Sequence, residues 1–408
     1  MNEMNKLKNN NHDSIGVLGS GLMGHGIAYA AAISGFHVLM VDLTKNQANK
    51  GLQKIYQILE KSFKKGFISK QELDDIKSRI EISHDYEMLG TTKIIIEAIY
   101  ENLDVKTKAL KTAEEYMNPN GFIASNTSTI PISILASKLI NPQNFIGLHF
   151  FSPVHKMKLV EVIKGEKTSS ATLSRALNFA LQIRKTPIVV NDSPGFYTTR
   201  VFVKYPFEGM TMLREGIKAS SIENAGKKAG YPVGPLALSD EVNIALIGRI
   251  RKQILKYDKK NSKEPWDKVI ELMVTNLNRE GRSGTGGFYD YPTNQKKHIW
   301  KNLEKHFPIL ANEIPGKDIV DRLIFSQILE AISCYEKNII SVQDANIGSI
   351  LGLGFPSDSG GVLQFVNDYG MLRFRDRSLQ LAEQYGRRFT PPKLLSEMAR
   401  TKKVFNSH

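Results

Sequence analysis

The sequence predicts an α/β protein in which a doubly wound sheet is followed by two similar all-helical units, and three observations carry that prediction. An apolar run at Ile15, Val17 and Leu18 enters a glycine turn, an Ala-rich helical pattern and a second apolar run that ends at Asp42. Short apolar runs at 80–83, 94–99, 122–124, 145–150, 159–163 and 188–190 then alternate with helical segments, the βα repetition of a layered sheet. Beyond Asp192-Ser-Pro-Gly195 the pattern becomes almost wholly helical, and it is written twice.

In the turn Gly19-Ser-Gly21-Leu-Met-Gly24 each glycine has a task. Gly19 permits the tight turn, Gly21 lets the backbone approach a pyrophosphate, and Gly24 lets helix and strand pack closely. The first N–H groups of the helix then face an anion. Asp42 suits the ribose 2′-hydroxyl of NAD and would repel a 2′-phosphate, so a Rossmann-type site for NAD is predicted. Next come helical stretches at 45–65 and 69–79, parted by Lys64-Lys65-Gly66, with Leu52, Ile55, Ile58, Leu59 and Phe63 at helical spacing. They are expected to form a hairpin projecting from the sheet.

The boundaries that follow are a polar, disordered tail over 1–13, a cofactor-binding domain over 14–192, a first helical domain over 193–291, a linker over 292–316 and a second helical domain over 317–408. The linker carries Pro292, Pro308 and Pro315. The repeat is seen in Glu208, Leu213, Glu215 and Ile217 before Gly230-Tyr-Pro232, and again in Glu330, Cys334, Glu336 and Ile339 before Gly354-Phe-Pro356. Apolar stripes at Val201, Phe202, Tyr205, Met210 and Leu213, and at Leu323, Ile324, Ile328 and Ile332, need partners. If the two units cover one another the chain is a monomer, the expected state; a homodimer is the alternative.

With 408 residues, 41% hydrophobic and 24% charged, the chain reads as soluble and globular. Its one cysteine, Cys334, lies in a helical pattern and reads as a buried structural thiol, which fits a reducing cytoplasm. No apolar run approaches the roughly 18 residues of a membrane span, and the start lacks a signal-peptide core. The net charge of +14 is spread over scattered pairs such as Lys64-Lys65 and Arg387-Arg388, not a stripe, so nucleic acid is not an expected partner. No metal site is predicted.

Two further places could carry chemistry. Ser125 and Asn126 follow an apolar strand, where an open parallel sheet binds its ligands, although Ser, Asn and Thr there could equally cap the next helix. His149 ends one strand, and Glu161 sits inside the next, where an isolated carboxylate would be expensive to bury. Paired, the glutamate would fix the imidazole tautomer and leave the other ring nitrogen as a base.

In this order, Gly19-x-Gly-x-x-Gly24, Ile96-Glu-Ala-Ile99, Ser125-Asn-Thr-Ser128, His149-Phe-Phe-Ser-Pro153, Leu159-Val-Glu161, Asp192-Ser-Pro-Gly-Phe196 and Tyr231-Pro-Val-Gly-Pro235 resemble the L-3-hydroxyacyl-CoA dehydrogenases of fatty-acid β-oxidation. The doubled helical part looks closest to the dehydrogenase part of multifunctional fatty-acid oxidation α subunits, without their hydratase half. The resemblance implies helical domains of the 6-phosphogluconate dehydrogenase C-terminal type. It implies NAD-dependent oxidation of an acyl-CoA substrate, with a separate enoyl-CoA hydratase or thiolase as partner. It assigns His149 as base, Glu161 as its orienting partner, Ser125 as donor to the substrate oxygen and Thr199 as a fourth polar contact. NAD contacts would come from the Leu22 and Met23 backbone, Asp42, Ala98, Glu101, Lys106 and Ser152. Lys54, Lys61, Lys64 and Lys65 would suit the phosphates of coenzyme A. Three positions depart: Thr199 replaces an asparagine common in relatives, Gly286 a basic residue, and Asn243 a glycine. Those departures motivate an alternative, a weakly active NAD-binding scaffold subunit; another is a dehydrogenase of a non-CoA hydroxy acid.

Overall fold

The computed structural model describes residues 14–257, 264–310 and 314–406, so the tail expected over 1–13 lies outside the described residues. The chain divides into two compact units after Asp192.

The first unit is an eight-stranded sheet: β1 (Ser14–Leu18), β2 (His37–Val41), β3 (Ile80–Ser83), β4 (Ile94–Glu97), β5 (Phe122–Ser125), β6 (Phe145–Phe150), β7 (Leu159–Lys164) and β8 (Thr186–Asn191), in the order β3-β2-β1-β4-β5-β6-β7-β8. The order reverses between β1 and β4, which is where such a sheet opens a ligand crevice. One pair departs from the expected winding: β6 and β7 are antiparallel. A parallel crossover needs about a dozen residues or more, and the 151–158 link is too short, so the chain turns straight back. That reversal sets His149 directly opposite Glu161.

Helix α1 (Leu22–Ile33) is Ala-rich because it is enclosed, with Gly24 to Ala32 all buried. Ile15, Val17, Ile27, Val38, Met40, Ile96, Ile146, Leu148 and Phe179 form the core beneath it. Helices α2 (Lys45–Lys64) and α3 (Lys70–Ser78) begin at the caps Thr44 and Ser69. They project less than expected. Leu52, Ile55 and Leu59 of α2 and Leu73 and Ile76 of α3 join the core, and the exposed part is the connecting end, where Phe63 is 39% and Phe67 76% exposed.

The second unit contains both similar helical segments packed together. In the first segment Val201, Tyr205, Met210 and Leu213 are buried and Phe202 is half-buried; in the second Leu323, Ile324, Ile328 and Ile332 are buried. Each such apolar side chain stabilises the fold by about 1.5–3 kcal/mol. Polar contacts across this packing are exchanged in pairs. Arg200, beside the helix Lys204–Arg214, reaches Glu330 on the helix Gly316–Glu336, with Nη2 2.5 Å from Oε1. Arg322 on that second helix reaches back to Glu208 on the first, with Nη2 2.6 Å from Oε1. Arg200 precedes Arg322 by the same number of positions as Glu208 precedes Glu330.

The two Gly-aromatic-Pro turns meet in the same manner. The Tyr231 and Phe355 rings stand edge to face at 5.9 Å, Gly230 abuts Pro356, and Gly354 abuts Pro232. Residue i of one copy touching j of the other, with j touching i, is the signature of a two-fold interface, here inside one chain. Among the described residues no helix is long and apolar enough to cross a membrane.

Candidate active site

The glycine turn builds the first half of the site. Gly19 stands at φ +92, a left-handed conformation, and a Cβ there would lie 2.8 Å from the Ala98 carbonyl. A Cβ on Gly24 would come within 1.7 Å of the Gly19 carbonyl, so α1 could not sit against the turn with any other residue. Around Gly21 the space is open, and Leu22 is exposed. The first N–H groups of a helix, here at Leu22 and Met23, have no intrahelical acceptor and suit an anion. A pyrophosphate fits this cradle on shape and on donors alike.

Asp42, at the end of β2, is fixed by the same turn. Its Oδ2 accepts from the Ser20 N–H at 2.7 Å and the Ser20 hydroxyl at 2.5 Å, and its Oδ1 accepts from the Leu43 N–H at 2.8 Å. A carboxylate has about four lone-pair sites, so capacity remains for a ribose hydroxyl. Across the crevice, the Ala98 N–H donates to the Leu18 carbonyl at 2.8 Å and holds the end of β4 against the turn.

Beyond Ala98 lies a buried polar cluster that sequence reading only partly anticipated. Glu97 ends β4 beside Ser125 at the end of β5. Its Oε1 accepts from Lys106 Nζ at 2.6 Å and the Ile99 N–H at 2.8 Å, and its Oε2 accepts from the Ser125 hydroxyl at 2.5 Å. Ser125 is fully buried, and its proton points to Glu97 instead of to an approaching ligand. Lys106 also lies 3.3 Å from Glu101 Oε2, while Thr127 and Thr129 donate to Glu101 Oε1 at 2.5 and 2.9 Å. Burial opposes charge on both Lys106 and Glu101. Attraction to Glu97 and then Glu101 outweighs it on Lys106 and raises the ammonium's pKa, while attraction to Lys106 and the Thr127 and Thr129 hydrogen bonds lower the Glu101 carboxyl's. Glu97 received no role from the sequence, although its signal matches the one at Glu161: a lone carboxylate closing the apolar run Ile94-Ile95-Ile96.

His149 and Glu161 meet as the strand register requires, Nδ1 to Oε2 at 2.9 Å, with Glu161 fully buried and His149 8% exposed. Phe151 packs on the imidazole at 4.6 Å, and Asn126 accepts from the Phe150 N–H at 2.8 Å, tying the ends of β5 and β6 together. A carboxylate accepting from Nδ1–H fixes the tautomer in which Nε2 carries the lone pair. Replacing Glu161 with glutamine is therefore expected to lower kcat by roughly 10–100-fold while leaving NAD affinity unchanged. Unchanged turnover would make the pair structural.

The other predicted residues are placed as follows. Ser152 is exposed on the link after β6. Thr199 belongs to the second unit, buried on the helix Thr198–Phe202. Two of the three departures acquire physical reasons there. Asn243 adopts φ +83, a conformation that favours glycine, and its Oδ1 accepts from the Leu246 N–H at 2.9 Å. A side chain at Gly286 would run into the Arg279 guanidinium, which already occupies that space and pairs with Asp290 at 2.6 Å.

The comparisons with known proteins bear on both units. Residues 14–193 match the family described as "3-hydroxyacyl-CoA dehydrogenase, NAD binding domain", and residues 195–291 match its "C-terminal domain". The (S)-3-hydroxybutyryl-CoA dehydrogenase of Ralstonia eutropha is 33% identical, with 69% of this chain and 100% of that one covered at a TM-score of 0.65. The 3-hydroxybutyryl-CoA dehydrogenase of Escherichia coli, 23% identical, shares the fold over 96% of this chain and 99% of its own at a TM-score of 0.83. The dehydrogenase part of multifunctional enzyme 1 from C. elegans, 22% identical, does so over 95% and 89% at 0.66. A pyrophosphate cradle with an aspartate at the end of β2, in a chain matched by both domains of one family, makes this an NAD-dependent dehydrogenase that belongs to the 3-hydroxyacyl-CoA dehydrogenase family.

Proposed function

We propose that this chain oxidises an L-3-hydroxyacyl-CoA to the 3-oxoacyl-CoA in fatty-acid β-oxidation. The His149–Glu161 pair, held at 2.9 Å beside the carboxyl end of β5, is the observation that carries the reading. Bound in the glycine cradle, NAD would supply the acceptor for the C3 hydride. His149 Nε2 takes the 3-hydroxyl proton, and Glu161 keeps Nδ1 protonated so that Nε2 is the base. Negative charge grows on the substrate oxygen as the proton leaves and must be met by donors. For Ser125 to be one of them its hydroxyl has to turn from Glu97 towards the substrate; Thr199 is proposed as a further polar contact. Gly19, Gly21, Gly24, the Leu22 and Met23 backbone, Asp42, Ala98, Glu101, Lys106 and Ser152 are proposed to hold NAD.

The Ralstonia relative is named for (S)-3-hydroxybutyryl-CoA, which supports a coenzyme A thioester here. The exposed lysines Lys54, Lys61, Lys64 and Lys65 suit its phosphates. NADH formation measured with 3-hydroxyacyl-CoA of several chain lengths tests the proposal. Absence of turnover with every one would overturn it.

The exchanged pairs inside the second unit support a monomer, because the surface that a second copy would cover is already covered. Light scattering at micromolar concentration is expected to return the mass of one chain; a mass near two chains would show that a second interface exists. A separate hydratase or thiolase is proposed as partner. The proposed compartment is a reducing cytoplasm, where Cys334, whose thiol burial pushes up to about 12, is an inert structural group.

A further inference from the structure

Outside the residues used above as base and cradle, the cluster at the ends of β4 and β5 is the most heavily buried set of charges in the first unit. Glu97 and Lys106 are both fully enclosed, and Glu101 is half-buried beside them. Counted by contact, two carboxylates face one ammonium, so the cluster holds one negative charge more than it neutralises. Hydrogen bonds from the Ile99 N–H and the Ser125, Thr127 and Thr129 hydroxyls hold that surplus in place, leaving a fixed negative potential that favours a neighbouring cation.

Position says what arrives. Asp42 marks the half β3-β2-β1 as the adenosine side, and the strand order reverses between β1 and β4. A dinucleotide lies across that reversal with one mononucleotide over each half, so the nicotinamide falls to the half that begins with β4. Glu97 is the last residue of β4. The oxidised nicotinamide ring carries one positive charge, and the reduced ring carries none.

We infer that Glu97, with Glu101 and Lys106, forms a charge-selective floor that favours oxidised over reduced cofactor. Glu97 is then a specificity-determining residue for the redox state of NAD. Its link to Ser125 at 2.5 Å couples the same carboxylate to a hydroxyl proposed above as a donor to the substrate oxygen. Weaker retention of the reduced form assists product release in the direction of alcohol oxidation.

The inference rests on NAD as cofactor in this orientation. Its test reads binding without acyl-CoA, so its failure is separable from failure of the proposed oxidation. In the full chain, dissociation constants for NAD+, NADH and ADP-ribose are measured by calorimetry. A unit charge acting through partly buried surroundings is worth roughly tenfold in an equilibrium constant. Glu97→Gln is therefore expected to weaken NAD+ about tenfold while NADH and ADP-ribose stay within about twofold. Glu97→Asp, which keeps the charge, is expected to retain the wild-type NAD+ to NADH ratio. Equal weakening of NAD+ and NADH, or no change in either, overturns the inference. If Glu97→Gln fails to bind ADP-ribose, Glu101→Gln decides instead: removal of the other carboxylate has to move the ratio in the same direction, and an unmoved ratio overturns the inference.

Discussion

Replacing His149 with glutamine is expected to lower kcat by about 10²–10⁴-fold, the range over which positioned acid–base groups contribute. Glutamine matches the reach of imidazole and can still meet Glu161 through its amide, so the strands β6 and β7 keep their register. What it lacks is a nitrogen that can take a proton near neutral pH. Binding of NAD is expected to be little changed, because the glycine turn and Asp42, which hold its pyrophosphate and adenosine ribose, lie on the other side of the strand-order reversal and His149 is not among the proposed NAD contacts. Calorimetry with NAD+ alongside steady-state kinetics separates the two effects. Turnover near that of the wild type would remove His149 from the chemistry, and lost NAD binding would point to a disturbed fold.

Glu208→Gln is expected to destabilise the second unit by about 3–5 kcal/mol, the usual penalty for leaving one member of a buried ion pair behind. Arg322 is fully buried, with its guanidinium 4.5 Å over the Tyr385 ring and its Nε 2.7 Å from Glu208 Oε1. Arg388 approaches the same carboxylate through Nε at 2.7 Å. Without that charge both guanidiniums would depend on Glu215, which is about one-third exposed and correspondingly screened. In a unit of this size the change corresponds to a melting temperature lower by about 10 °C. Pairing the change with Arg322→Met is expected to recover part of the loss, since a buried pair replaced by apolar groups is often tolerated. Asp74→Asn, which breaks the exposed pair with Lys70, serves as control and is expected to leave melting unchanged. A Glu208→Gln melt that coincides with the control would show the pairs to be ornamental.

The glycine turn is legible in the sequence because its spacing is local: Gly24 answers to Gly19 a few residues before it, and strand, turn and helix follow one another without interruption. His149 and Glu161 were legible for a different reason, since two polar groups inside apolar strands must find one another or remain unsatisfied. The same argument applied to Glu97 would have exposed the cluster with Lys106 and Ser125, but its partners lie on a following helix and a neighbouring strand, and no spacing rule connects them. Apolar runs do not record strand direction, so the reversal at β7 could be read only from the shortness of the link over 151–158. The hairpin of α2 and α3 was placed too far from the sheet because half of its apolar stripe answers to β2, β3 and α1, elements distant in sequence. In the helical part the repeated motifs were visible, whereas the exchange of partners between Arg200 and Arg322 is a property of packing alone.

That exchange has a consequence for how such a chain can change. In a dimer of two identical subunits every substitution lands twice, once on each side of the axis, so no residue can be altered in one half and kept in the other. Joining both halves in one polypeptide lifts that restraint. Arg200 and Arg322 are the same residue in both copies, yet their neighbours are Thr199 and Asp321, and Asp321 is held by Arg377 at 2.7 Å. One half is free to keep a small hydroxyl where the proposed chemistry needs it, while the other converts the equivalent position into an anchor.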